Sequence, residues 1–324
     1  MCIICQSNGD YSNLIHLTSL NCSYCPLVNS IPKELVNLTS LNCSYCPLVN
    51  SIPKELVNLI YLSCSNCPLL KEVPCELVKL TRLYCDNCPL LKEVPCELVK
   101  LITLDCSNCP LLKSTVVDGA TFGGVPRELI KLTSLNCSYC PLVNIPRELV
   151  NLTYLDCYNC PLLKELPTNL VNLTYLSCYN CPLLNTIPQE LVDLTSLDCY
   201  NCPLLNAIPA SLINLIYLYC DNCPLINMIP ASLIKLTYLD CDDIYLSYKI
   251  KGKIRKKNNN YLGICKIRIR NKLKRIRGKM ILNYMKKEKI LLNDINIIIL
   301  DIASVSFHEP LARLAGEVSR RDII

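Results

Sequence analysis

The stretch LTSLNCSYCPLVNSIPKELVN, Leu17 to Asn37, recurs down the chain almost unchanged. Its marker is a Cys-x-x-Cys-Pro core at Cys22 and Cys25. The core returns at Cys43/Cys46, Cys64/Cys67, Cys85/Cys88, Cys106/Cys109, Cys137/Cys140, Cys157/Cys160, Cys178/Cys181, Cys199/Cys202 and Cys220/Cys223. A degenerate copy at Cys241 ends the series. The usual step is 21 residues, as from Cys22 to Cys43 to Cys64. A period this short and regular marks one supersecondary unit that buries its apolar face only by stacking on its neighbours.

Each copy divides in two. The L-x-C half alternates with period 2, the pattern of a short strand with one buried side. The proline after the second Cys ends it, because Pro has no N–H to give to a ladder. The Ile31-Pro32-Lys33-Glu34-Leu35 half starts a single helical or 3₁₀ turn, with Pro preorganised at its first position and Glu near its start. Written out, the unit is L-x-x-L-x-C-x-x-C-P-L-[LV]-x-x-[IV]-P-x-E-L-[VI]-x. It resembles the leucine-rich repeat, L-x-x-L-x-L-x-x-[NC]-x-L, with Leu17, Leu20, Cys22, Cys25 and Leu27 on the five signature positions. Only the third Leu departs, replaced by Cys in every copy. The Ile-Pro-x-Glu-Leu half is similar to the convex segments of typical and bacterial leucine-rich repeats. By composition, the cysteine-rich version resembles those of large DNA viruses of amoebae.

The resemblance implies an α/β solenoid: a curved parallel sheet on the concave side, short helical or 3₁₀ turns on the convex side, and a basic C-terminal tail. We divide the chain into a partial N-terminal repeat (1–13), the solenoid (14–247, about eleven repeats) and the tail (248–324). One repeat breaks step. Cys106 to Cys137 is 31 residues, with the extra material near 113–124, read as a surface loop. After Tyr248 the repeat is lost and the tail is partly helical or disordered.

The net charge of +6 hides a split. Residues 1–247 carry 13 Lys/Arg against 21 Asp/Glu; Tyr248 to Lys289 carries 17 Lys/Arg against the single acid Glu288. Such asymmetry marks a separate role for the tail. No uncharged apolar run approaches a membrane span, and the start MCIICQSNGDYSN lacks the basic and apolar regions of a secretory signal. The expected location is therefore cytoplasmic, with reduced thiols. The nominal glycosylation sequons, such as Asn37-Leu38-Thr39, are then without consequence.

Repeated Cys-x-x-Cys is a zinc signal when two pairs meet around one metal. Here the pairs fall on inward-facing repeat positions, and free Cys is among the most buried residue types. We read them as structural and assign no metal ligand and no cofactor; metal bridging between rungs stays as the alternative. With only His16 and His308 in the chain, no nucleophile–base pair can be assembled. No P-loop, dinucleotide fingerprint or zinc-protease helix is present. The expectation is a non-enzymatic protein with no small-molecule substrate.

The informative variation lies on the solvent side of the strands. Early copies carry Ser19, Asn21, Ser23 and Ser40, Asn42, Ser44. Later copies carry Tyr154, Asp156, Tyr158; Tyr175, Ser177, Tyr179; Ser196, Asp198, Tyr200; Tyr217, Tyr219, Asp221; and Tyr238, Asp240, Asp242. Tyr is enriched at interfaces because it covers large area at low entropy cost and keeps a polar tip. The face reads as the site for a protein partner with a basic surface. Tandem copying of Tyr remains an alternative origin. The rival function is nucleic-acid or anionic-membrane association through the tail, at Lys256, Lys257, Lys272, Lys274, Arg275 and Arg277. A third use of the tail is to fold back on the acidic face.

Overall fold

A computed structural model describes residues 2–241, except 8, 113–114, 118–119, 123 and 227, together with 245–246. The Leu-x-Cys halves form strands of three residues each. They are β1 (Ser19–Asn21), β2 (Ser40–Asn42), β3 (Tyr61–Ser63), β4 (Arg82–Tyr84) and β5 (Thr103–Asp105). A pair, β6 (Thr115–Val117) and β7 (Ala120–Phe122), follows. Then come β8 (Ser134–Asn136), β9 (Tyr154–Asp156), β10 (Tyr175–Ser177), β11 (Ser196–Asp198) and β12 (Tyr217–Tyr219). The last three are β13 (Met228–Ile229), β14 (Tyr238–Asp240) and β15 (Tyr245–Leu246). Eleven of them make one parallel sheet in the order β1-β2-β3-β4-β5-β8-β9-β10-β11-β12-β14.

Every pairing in this sheet sets leucine on leucine, as Leu20 on Leu41 and Leu155 on Leu176, while the flanking residues match only on some rungs, as Tyr154 on Tyr175. The backbone ladder runs past the three strand residues. Thr39 N donates to Thr18 O, Cys22 N to Asn42 O and Tyr24 N to Ser44 O. Each coil then closes through tight turns. Val49 N donates to Cys46 O, Leu56 N to Pro53 O and Leu59 N to Leu56 O. The convex half is thus a run of i→i+3 turns and not a helix. The single turn expected at Ile-Pro-x-Glu-Leu is there, but the repeat returns to the sheet before a second turn can add.

The core is a set of columns. Leu38, Leu41, Cys43, Cys46, Val49 and Leu56 are all sealed, and their counterparts on later rungs are buried up to Cys241, which is half-buried. The valine after the convex Leu stays exposed on successive rungs (Val36, Val57, Val78, Val99). Side chains also tie rung to rung. Asn37 Nδ2 donates to Ile15 O at 2.9 Å and Thr39 Oγ1 to Thr18 O at 3.0 Å. Asn172 and Thr174 do the same to Val150 and Thr153. The N-L-T tripeptides that look like sequons are therefore inter-rung ties.

The ten-residue excess leaves the sheet undisturbed. Thr103 pairs with Ser134 in the register of every other rung, while β6 and β7 form an antiparallel pair outside it. The first residues do not make a strand. Ile3–Gln6 is a four-residue α-helix (α1) that buries Ile4. At the other end β13 pairs with β15, a small parallel sheet apart from the main one. By internal contacts the chain divides into units 1–254 and 255–324. All six tail residues singled out above, Lys256 to Arg277, lie outside the described residues. Among the described residues no helix is long and apolar enough to cross a membrane.

Candidate functional site

Two columns of thiols line the inner side of the sheet. The first Cys of each rung is buried under its strand, and its Sγ approaches the carbonyl of the next rung: Cys43 to Ser63 O at 3.6 Å, Cys157 to Ser177 O at 3.2 Å. The second Cys points the other way. Cys46, Cys67, Cys88 and Cys181 donate to the carbonyls of Cys22, Cys43, Cys64 and Cys157 at 3.1–3.2 Å. Those carbonyls belong to the first Cys, where the chain leaves the sheet, so the thiol answers an acceptor that would otherwise be buried alone. All these cysteines are free. Burial pushes the thiols of Cys64 and Cys85 well up, which keeps them protonated, as a donor must be. In the second column, a hydrogen bond from the neighbouring first-column thiol instead lowers the pKa of Cys67, Cys140 and Cys181.

The residue before the second Cys has a left-handed backbone in ten rungs. It is Asn in seven (Asn66, Asn87, Asn108, Asn159, Asn180, Asn201, Asn222) and Tyr in three (Tyr24, Tyr45, Tyr139), with φ between 53° and 59°. Asn tolerates this region and Tyr is strained there. The asparagines then join: Asn108 Nδ2 to Asn87 Oδ1 at 2.6 Å, Asn201 Nδ2 to Asn180 Oδ1 at 2.5 Å. The sequence reading missed this ladder. Its signal was the recurring Asn-Cys-Pro.

The solvent side of the strands carries the variable residues. Strands pair in register and lie about 4.8 Å apart, so equal aromatic residues on neighbouring rungs come within reach of each other's rings. Tyr154 and Tyr175 stack with centroids 4.5 Å apart and planes 4° from parallel. After the first Cys runs a second line. Tyr139 meets Tyr158 edge-on at 4.7 Å, Tyr158 meets Tyr179 at 4.6 Å, and Tyr179 stacks on Tyr200 at 4.8 Å. Tyr238 touches both Tyr217 and Tyr219, at 6.5 and 4.9 Å. Tyr139 and Tyr217 are exposed; the others are half-buried against one another.

Asp156 and Asp198 stand between the two tyrosine lines on β9 and β11, and Asp240 holds the same position on β14. Each of the first two also has a local task. Asp156 Oδ1 accepts from Tyr158 N at 3.1 Å and Asp198 Oδ1 from Tyr200 N at 3.2 Å. Asn42 caps Ser44 N in the same way at 3.0 Å on an early rung. The carboxylates are thus Asx-turn residues whose charge is an addition to that role. Burial raises the pKa of Asp198, with Asp156 and Asp240 adding like charge. Burial and Asp156 push the Tyr154 phenol up to about 12. A hydrogen bond with Tyr139, then burial, does the same for Tyr158. The face is a ladder of neutral phenols threaded by acidic groups. The described residues of this face, from Tyr154 to Asp240, lie along paired strands of one sheet, and Asp242 lies outside the described residues.

A leucine-rich-repeat family model matches four segments, residues 16–38, 37–59, 151–173 and 172–194. Those four segments are leucine-rich repeats. Solved leucine-rich-repeat structures share the fold. The plant peptide hormone receptor RGFR1 in complex with RGF2 is similar at TM-score 0.55 and 22% identity, over 72% of this chain and 41% of the receptor. The internalin InlF of Listeria monocytogenes gives TM-score 0.54 and 18% identity, over 76% of this chain and 74% of that one. The functional domain of InlJ from the same bacterium, which includes a cysteine ladder, gives 0.50 and 24% over 78% and 64%. The chain therefore spans well under two thirds of the receptor's length. No curated protein matches the sequence.

One cluster was not foreseen. Cys2 and Cys5 come together with Cys25, all three Sγ atoms lying within 4.8 Å of one another. In sequence they read as one more repeat pair, 20 residues ahead of Cys22 and Cys25. In the structure α1 turns them toward the second cysteine of the first rung.

Proposed function

We propose that the protein is a non-enzymatic binding scaffold, and that its strand face over β9 to β14 holds a protein partner with a basic, Arg-rich surface. Leucine-rich-repeat folds commonly serve as protein-interaction platforms, and solenoids offer extended surfaces for it. The observation that carries the proposal is the tyrosine ladder with Asp156, Asp198 and Asp240 inside it. Stacked phenols give broad contact at little entropic cost and form a bed for guanidinium groups, while the carboxylates accept their hydrogen bonds. Rungs β1 and β2 carry Ser19 and Ser40 at the strand position of Tyr154 and Tyr175 above the same leucine column. A reducing, intracellular location suits the free thiols on which both columns depend.

The test replaces Tyr154, Tyr179 and Tyr200 with Ala in the full chain. Partner affinity should fall by at least about tenfold, since interface aromatics of this kind each carry on the order of 1–2 kcal/mol. Changes at Ser19, Ser40 and Ser44 should leave it unchanged. Equal effects from both sets would refute the assignment.

A second reading concerns the tail and rests on its charge alone. Seventeen Lys/Arg between Tyr248 and Lys289, with one acid, suit a polyanion, either nucleic acid or anionic membrane. Binding to nucleic acid through roughly six to ten phosphates should weaken about 10³–10⁵-fold between 50 and 200 mM salt. Residues 1–247 alone should not bind. Binding that ignores salt, or that survives removal of the tail, would dismiss this reading.

A further inference from the structure

The first rung differs from all others in what faces its second cysteine. Cys46, Cys67 and their successors each reach the backbone carbonyl of the rung before. Cys25 meets two more sulfurs instead. Cys5 Sγ lies 3.4 Å from Cys25 Sγ, and Cys2 Sγ lies 3.8 Å from Cys5 Sγ. Cys2 sits at the extended N-cap of α1 and Cys5 one turn later, so both thiols leave the same side of the helix. Cys25 is buried, and Cys2 and Cys5 are half-buried.

We propose that Cys2, Cys5 and Cys25 bind one thiophilic d¹⁰ cation of the Zn²⁺ type through three thiolates, leaving a fourth position open. Tetrahedral zinc with Zn–S bonds of about 2.3 Å requires sulfurs about 3.8 Å apart. The observed separations therefore admit the ion with little movement. Binding replaces the thiol protons, which are released to solvent as the thiolates form.

The site also answers a need of the fold. A solenoid's open end leaves its core column unprotected. Here the cover is a four-residue helix with no side-chain cap and one buried residue, Ile4. Helices of that length do not hold themselves. A cation bridging both α1 thiols to the first rung would fix the helix over the sealed Leu20 and Cys22. Among the described residues the other thiols form no such cluster: the second-column thiols reach carbonyls, and Cys75 and Cys96 are exposed elsewhere.

The experiment is metal analysis of the full-length protein, reduced and dialysed against Zn²⁺, followed by competition with a chelator of known affinity. We expect one zinc per chain. Co²⁺ in its place should show thiolate-to-metal charge transfer and the intense visible bands of a tetrahedral site. Cys5→Ser should weaken zinc by more than about 100-fold, beyond the loss from an outer-shell change. Cys2→His, which keeps a ligand, should retain stoichiometric binding, and Cys75→Ser should behave as wild type. No zinc in the wild type, equal zinc in Cys5→Ser, or a Cys5–Cys25 disulfide in protein isolated under reducing conditions would each overturn the proposal. Circular dichroism on every variant separates loss of metal from loss of fold.

Discussion

Rungs β1 to β3 and rungs β9 to β12 share one core and carry two different faces. Inside, Leu41 and Leu197 are both completely sealed. On the other side of the strands, small buried hydroxyls join the rungs of β2 and β3, Ser44 Oγ to Ser63 Oγ at 2.6 Å, and β4 adds Arg82 over the Tyr61 ring at 5.3 Å. The later rungs replace hydroxyls with stacked phenols and carboxylates. The fold therefore accommodates different residues on this face above one leucine column.

The largest expected effect tests the shared half of that comparison. Leu41→Ala and Leu197→Ala should each cost about 2–5 kcal/mol, because each empties a sealed core position. Denaturant midpoints should fall alike for the two. A markedly smaller loss at Leu197 would mean that the later rungs are held by their tyrosines and not by the core.

A middle-sized effect comes from the left-handed turn. Asn180→Ala should destabilise by about 1–2 kcal/mol, through the backbone conformation and the lost bridges to Asn159 and Asn201. Tyr45 sits at the same φ with its ring stacked on Tyr24 at 4.4 Å. Stacking there offsets strain, so Tyr45→Asn should change stability by less than about 1 kcal/mol. Thermal or urea unfolding decides both. A neutral Asn180→Ala would remove the ladder from the account.

The smallest effects are in pH dependence. The folded state raises the Asp198 pKa, so its contribution to stability is full below the ordinary carboxylate value and is lost as pH rises through the folded value. Wild type should therefore gain stability on acidification from neutral pH. Asp198→Asn, which keeps an acceptor for Tyr200 N, should lack that part of the gain. The Tyr154 phenol, held near 12, favours folding below pH 10, and that part is lost between about 10 and 12. Difference titration against Tyr154→Phe should show one phenol ionising near 12. Ionisation near 10 would mean that the ring is not packed as described.

The sequence made the strand half legible, because L-x-C alternation leaves only one side to bury. The loop near 113–124 was legible from the broken step, and the register of Thr103 with Ser134 explains why it is tolerated. Three features escaped. Convex turns look helical in sequence, since Pro and Glu suit a helix start, but the step to the next rung stops them. The left-handed Asn was hidden behind the more conspicuous cysteines. Cys2 and Cys5 kept the repeat's spacing while leaving its conformation, so only coordinates could join them to Cys25. The tyrosine face was legible as positions. Its stacking was not, because that depends on register.

The most direct test of the central claim is the affinity of one identified partner for full-length protein carrying either Tyr154→Ala/Tyr179→Ala/Tyr200→Ala or Ser19→Ala/Ser40→Ala/Ser44→Ala. The account predicts a loss of at least about tenfold from the first set and none from the second, with both variants folded. Equal affinity in the two would contradict it and leave the tyrosines as copied decoration on a shared core.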